Sequence, residues 1–199
     1  MDKIRISASS LVKIILDDKF LLCLNKGSLI NWNNRIYTPF GGAIEFYESS
    51  RSFLESLEAE FEKRNDLRIF IPKSNIPKFE DWFYRKQGRE TSPYRELNEE
   101  FVNEEKIFNN LPEEEVNLTY LHTIIDQGKT HKPEISGTLT IRFSEIYEAK
   151  FNKKYENQIR KNLKEKDTHL ILVTPEQITN NHNPNLKIGG NSKYLLNNL

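Results

Sequence analysis

The sequence predicts a mixed α/β (α+β) fold, with helices packed on a mixed sheet, and three observations point to it. Its β-rich runs pair as hairpins and do not alternate strictly with helices. Amphipathic helical stretches lie between those runs. The 199 residues suffice for one domain with a full core, or for a core domain carrying a sizeable insertion.

The clearest hairpin is "LVKIILDDKFLLCLN", where runs 11–16 and 19–25 flank Asp17-Asp18, because Asp tolerates turn conformations that β-branched residues resist. "RIYTPFGGAIEFYES" then gives a short strand, a proline and the pair Gly41-Gly42, which suits a sharp turn or a close approach to a ligand. In "SSRSFLESLEAEFEKRND", Phe53, Leu54, Leu57 and Phe61 are spaced for one helical face. "LRIFIP" reads as a strand ending at Pro72. A helix follows from about Pro77, with Phe79, Trp82 and Phe83 on its apolar side and Gly88 as its stop. Ser92-Pro93 starts another helix, as N-cap and first helical residue, running to about Asn103. "VNLTYLHTII", "SGTLTIRFSEIYEA" and "THLILVTP" read as strands, "KYENQIRKNLKEK" and "SKYLLNNL" as helices.

Composition narrows the function. Hydrophobic residues make up 37% and charged residues 29%, a polar globular balance, and acidic and basic residues match at 29 each. Net charge therefore gives no reason to expect a nucleic-acid polymer or membrane surface as partner. Cys23, the only cysteine, rules out an intramolecular disulfide and a cysteine-based zinc cluster, and its apolar surroundings suit a buried thiol. No apolar run approaches the ~20 residues of a membrane helix, and "MDKIRISASS" lacks the apolar core of a signal peptide. A cytoplasmic protein is expected.

The chemistry-bearing stretch is "SPYRELNEEF". On a helix Glu96 and Glu100 lie about 40° apart and Glu99 about 60° to the other side, so all three carboxylates share one arc. Leu97 and Phe101 point elsewhere and can pack on a sheet, and Arg95 stands beside Glu99. Clustered carboxylates raise one another's pKa unless a cation compensates, and Mg²⁺ or Mn²⁺ suits oxygen ligands. A solvated acidic face continuing through Glu104 and Glu105 is the alternative.

"FGGAIEFYES" supplies a second half. Gly42, five residues and Glu48, followed by Arg95, Glu96, Leu97, Glu99 and Glu100, resemble the Nudix box, with Gly41 and Glu45 as many members have them. Two features depart from the box. The spacer from Glu48 to Arg95 holds 46 residues where the family has seven, an insertion of 39, and Val102 stands where the box ends in glycine. The insertion, about residues 51–91, contains "DLRIFIP" and "WF" before "GRETSPYRELNEE". It looks like the split box of the SMODS-associated Nudix group, which is linked to bacterial conflict systems built on nucleotide second messengers. Closing a longer loop costs only about 0.6 kcal/mol per doubling of length.

The resemblance implies a single Nudix-like domain over residues 1–199, an α/β/α sandwich with the insertion inside the box. It further implies hydrolysis of a nucleoside diphosphate linked to another moiety, with Mg²⁺ or Mn²⁺, or a related sensor that binds a nucleotide and cuts little. Glu99 and Glu100 would be metal ligands, Glu96 a ligand or general base, and the Gly41 carbonyl a further ligand. Glu48 would support the site and Arg95 would position a glutamate. Gly42 would let a ligand approach closely, and Glu45 would support the site or face solvent. Trp32, Tyr37 and Phe46 would stack on a nucleotide or else pack the domain. Trp82, Phe83 and Tyr84 would pack the insertion, while Arg85, Lys86 and Arg89 would reach phosphates or end an exposed helix. His122, His131, His169 and His182 show no metal-ligand spacing. "KIGGNSKY" lacks the strand-loop-helix context of a phosphate loop. A nucleotide-derived small molecule is the expected partner, and a homodimer is left open.

Overall fold

The computed structural model describes residues 2–25, 35–130, 135–166, 168–180 and 186–196, so Trp32, His131 and His182 lie outside the described residues. The fold is mixed α/β, as expected, but with two sheets in place of one. One sheet joins β1 (Lys3–Lys13), β5 (Glu60–Phe61), β6 (Arg68–Pro72), β7 (Val116–Lys129) and β8 (Leu139–Phe151), in the order β5-β6-β1-β8-β7. The other runs β10-β4-β3-β2, with β9 also on β3. Its strands are β2 (Ile15–Leu16), β3 (Lys19–Leu24), β4 (Ile36–Thr38), β9 (Leu170–Val173) and β10 (Lys187–Ile188). Among the described residues, no helix is long and apolar enough to cross a membrane.

The chain divides into two compact units. The first comprises residues 1–10, 42–93 and 122–145 and holds the insertion at about residues 51–91. The second comprises residues 11–41, 94–121 and 146–199 and holds Gly41 and the Arg95–Glu100 stretch.

In the first unit the N-terminal run, unassigned from sequence, is a strand. Ile4, Ile6 and Ala8 are buried, and Lys3 to Ser7 pair antiparallel with Pro72 to Arg68. The helix expected through Phe61 ends early. Helix α1 covers only Arg51–Ser56, Glu58 takes a positive φ of 58°, and Phe61 joins β5, where it pairs with Ile69. The helical spacing of Phe61 is overridden because the sheet edge and the Phe46 ring, 5.3 Å away, bury it better.

Helix α2 (Ile76–Tyr84) carries Pro77 in its first turn and buries Phe79, Trp82 and Phe83, while Tyr84 is exposed. Gly88 follows with φ +68°, and a Cβ there would stand 1.8 Å from the Ser50 Oγ, so only glycine fits.

Arg89 is neither a phosphate contact nor an exposed helix end, because it is fully buried. Its Nη2 donates to the Phe83 carbonyl at 2.7 Å and to the Glu145 carboxylate at 2.8 Å, and its guanidinium lies 3.9 Å from the Phe83 ring centroid. The pair satisfies two charges that the core could not otherwise hold.

In the second unit Asp17 and Asp18 both take positive φ, 52° and 57°, as a tight hairpin turn requires. Arg160, on helix α4 (Lys153–Asn162), donates to Asp17 and Glu156. Asn152 caps that helix through the Tyr155 N–H. Helix α5 (Pro175–Thr179), unassigned from sequence, begins with a complete capping box of Thr174 and Gln177. "KIGGNSKY" does have a strand before its glycines, β10, and a 3₁₀ helix, Gly190–Leu196, that starts at the second of them. The glycine is needed for packing: a Cβ on Gly189 would stand 2.6 Å from the Thr38 methyl.

Arg89→Met should destabilise the protein by about 3–5 kcal/mol, because it leaves the buried Glu145 carboxylate with only the longer Lys86 Nζ contact, at 3.7 Å, of the two cations it pairs with here. The double variant Arg89→Met/Glu145→Leu should cost less than the single one, as measured by urea denaturation. A single variant within about 1 kcal/mol of the wild type would show that the pair contributes little.

Candidate functional site

Helix α3 (Tyr94–Asn98) starts directly after Pro93 and presents Leu97 to the core, where it is fully buried. The helix expected to run on to Asn103 changes form at Glu99. Residues Glu99–Glu104 make a π-helical turn, in which the Glu105 N–H donates to the Glu100 carbonyl at 2.8 Å. Turns of this kind concentrate at functional sites. Val102, in place of the box glycine, lies inside this turn. The chain leaves through Lys106, at φ +53°, and the Ile107 and Phe108 N–H groups both return to the Phe101 carbonyl.

That exit stacks aromatic rings. The Phe101 ring lies 4.5 Å from Phe40, nearly parallel at 4°, and 4.8 Å from Phe108 at 13°. Phe40 precedes Gly41 and Phe101 follows Glu100, so the stack sets the glycine backbone against the carboxylate. The Gly41 N–H, from a backbone at φ +118°, donates to Glu100 Oε2 at 2.8 Å. On the other oxygen, the buried Cys23 thiol stands 3.8 Å from Oε1. Of the residues that the box pattern singles out, Gly41 and Glu100 are thus in direct contact.

A cavity of about 240 Å³ opens here, and Cys23, Thr38, Gly41, Glu100, Glu104 and Glu105 are among its lining. Burial pushes the Glu100 carboxyl up to about 8. The Gly41 hydrogen bond opposes that rise, the charges of Glu96 and Glu104 add to it, and the Cys23 contact again opposes it. Burial, followed by the charges of Glu100 and Glu105, pushes the Cys23 thiol well up, so it stays protonated and unreactive.

The neighbouring residues are arranged differently. Arg95 reaches Glu96 at 3.0 Å and Glu99 at 3.4 Å, and the Glu99 side chain is 46% exposed. Glu105 holds His169 Nδ1 at 2.9 Å, a pairing that sequence could not reveal because 64 positions separate the two. Among the described residues, no three His, Cys, Asp or Glu side chains stand together as a ready metal cage. The donor chemistry nevertheless suits a hard divalent cation, since Glu100 is a desolvated carboxylate whose charge its acidic neighbours oppose.

Gly42, Glu45, Phe46 and Glu48 belong to the first unit. Phe46 is buried and packs on Phe61, with the Arg51 guanidinium over its ring, so it serves the core and offers no face to a nucleotide. Glu48 is exposed and accepts from Arg51 Nε at 2.9 Å. The Glu45 N–H donates to the Glu90 carboxylate at 2.9 Å. Tyr37 lies on β4, partly buried, and its carbonyl accepts the Gly189 N–H at 2.7 Å.

A family model described as SMODS-associated NUDIX domain matches residues 3–196, nearly the whole chain. A comparison with curated proteins finds no match.

The raised Glu100 carboxyl makes stability depend on pH. Folded, it keeps its proton up to about 8, whereas the ordinary value is 4.5, so the folded state binds the extra proton between these limits. Metal-free protein should therefore lose stability as pH rises through that window and level off above it, by on the order of several kcal/mol. Urea denaturation at pH 5 and pH 8 reads this loss. Glu100→Gln should reduce it, and an unchanged slope in that variant would assign the loss to other groups.

Proposed function

Since this chain belongs to the SMODS-associated Nudix domain family, we propose that it is a Mg²⁺- or Mn²⁺-dependent pyrophosphohydrolase acting on a nucleoside diphosphate linked to another moiety. One observation carries the reading: Glu100 sits in a carboxylate-lined cavity, locked to the Gly41 N–H, where burial and acidic neighbours oppose its charge. A divalent cation there would offset both effects and would neutralise a pyrophosphate and polarise a water.

The chain's own residues supply the rest. Glu100 would hold the cation. Arg95 pairs with Glu96 at 3.0 Å, and Glu96 would support that cation or accept the proton of the attacking water. The water oxygen bonds to one phosphorus, the bridging P–O bond breaks, and the other phosphate leaves. The family's link to nucleotide second messengers supports a signalling or modified nucleotide as substrate, in the bacterial cytoplasm and in antiviral defence.

A second reading has an observation of its own. Glu99 is engaged by Arg95, and no three-carboxylate cage is assembled among the described residues, which suits a sensor that binds a nucleotide without cutting it.

A panel of dinucleoside polyphosphates, nucleotide sugars, NAD-type compounds and nucleoside triphosphates, with Mg²⁺ or Mn²⁺, separates the two readings. Hydrolysis should appear with the wild type and fall by about a thousandfold or more in Glu100→Gln, a loss of about 4 kcal/mol in transition-state stabilisation. Full activity in that variant would overturn the metal-site reading. Tight binding without product over hours would favour the sensor.

A further inference from the structure

We propose that the cavity between Lys106 and helix α4 is a second ligand site, one that takes a phosphate group, either as the free anion or as part of a nucleotide. The inference goes beyond the proposed hydrolase and does not depend on a cation beside Gly41.

The cavity measures about 240 Å³ and is lined by Lys106, Ile107, Gln158, Lys161, Asn162 and Glu165. All six residues belong to the second unit. Lys106 comes from the exit of the π-turn and Lys161 from the last turn of α4, so two segments distant in sequence bring their ammonium groups to one place. Ile107 is partly buried and packs on the core of that unit, which gives the cavity an anchored wall. Pockets that enclose a drug-sized ligand run from about 300 Å³ upwards, so this one suits a smaller group.

Its charges point to an anion. Among the described residues neither lysine has an ion-pair partner, although Glu165 lines the same cavity. Arg160, one residue before Lys161, is by contrast engaged by Asp17 and Glu156. Like charges that converge without a counter-charge favour an anion between them. The Thr168 hydroxyl donates to Asn162 Oδ1 at 2.8 Å, which leaves the Asn162 Nδ2 group to donate. Gln158 adds a second carboxamide. Two ammonium and two amide donors suit phosphate oxygens, for which lysine acts as a point charge. The carbonyls at the end of α4, which would repel an anion, are already taken. Those of Ile159, Lys161 and Asn162 accept from the N–H groups of Leu163, Lys164 and Glu165. Lys106 also stands at φ +53°, where glycine is the unstrained choice, and such exceptions concentrate at functional sites.

The test titrates inorganic phosphate, adenosine monophosphate and adenosine into the full chain by isothermal titration, in EDTA and at low ionic strength. Phosphate and the monophosphate should bind, and adenosine should not. Tighter binding of the monophosphate assigns a nucleotide as the occupant, and equal affinities assign the free anion. Lys106→Gly and Lys161→Gln should each weaken binding about tenfold, and Glu165→Gln should strengthen it by removing a repelling charge. Glycine suits the Lys106 backbone and Lys161 is exposed, so thermal midpoints should confirm folded variants. Lys154→Gln, exposed on α4 but outside the cavity lining, should bind as the wild type does. An equal loss in Lys154→Gln would trace the attraction to the general charge of the helix and overturn the site. Wild-type protein that binds neither phosphate nor the monophosphate would overturn it too, as would adenosine binding as tightly as its monophosphate. Binding left unchanged by both lysine variants would place the anion elsewhere and overturn the assignment. The hydrolase reading stands or falls separately, on the metal-dependent panel.

Discussion

The parallel stack of Phe40 on Phe101 is the contact on which the candidate site depends. Each ring adjoins a functional residue, so ring-on-ring packing fixes a backbone N–H against a carboxylate. Aromatic pairs add about 0.5–1.5 kcal/mol beyond the area they bury. Phe108 extends the stack, and Tyr155 meets Phe108 edge-on at a centroid distance of 4.8 Å. The π-turn and the left-handed Lys106 are what bring Phe108 back onto Phe101, so the unusual helix form and the ring stack support each other. The same turn sets which glutamates face the cavity.

The protein treats two of its inward carboxylates in opposite ways. Glu145 lies in the core of the first unit and is answered by the Arg89 guanidinium at 2.8 Å. Both charges are satisfied there, and the pair serves structure. Glu100 is answered by one backbone N–H and a weak thiol contact, while the groups that raise its carboxyl include two further glutamates. Such a group is stabilised by protonation or by a bound cation. That difference separates a structural carboxylate from a candidate ligand more sharply than burial alone.

Much of the fold and part of the site were legible in the sequence. The Asp17-Asp18 hairpin, the α2 helix with its Pro77 start, and β8 and β9 followed from turn chemistry and local periodicity. The box pattern singled out Gly41 and Glu100, which the structure joins. The failures share a cause. Phe61 had helical spacing but a better place at a sheet edge, and Phe46 had an aromatic ring near the box but a core to fill. Arg89 stood in a polar stretch, "RKQGRE", yet its partner Glu145 lies 56 positions away.

By itself the sequence determined the family, the residue types available for chemistry and the spacing that places Arg95, Glu96, Glu99 and Glu100 on one short helix. These are local properties, set by side-chain chemistry and helical periodicity. Tertiary structure alone decided that the helix widens at Glu99 and that Phe108 returns to Phe101. It also decided that Arg95 takes Glu99 while Glu104 and Glu105 line the cavity. The physical reason is that a π-turn and a ring stack are stabilised by contacts between residues distant in sequence, Phe40 and Phe101 above all, which no local pattern encodes.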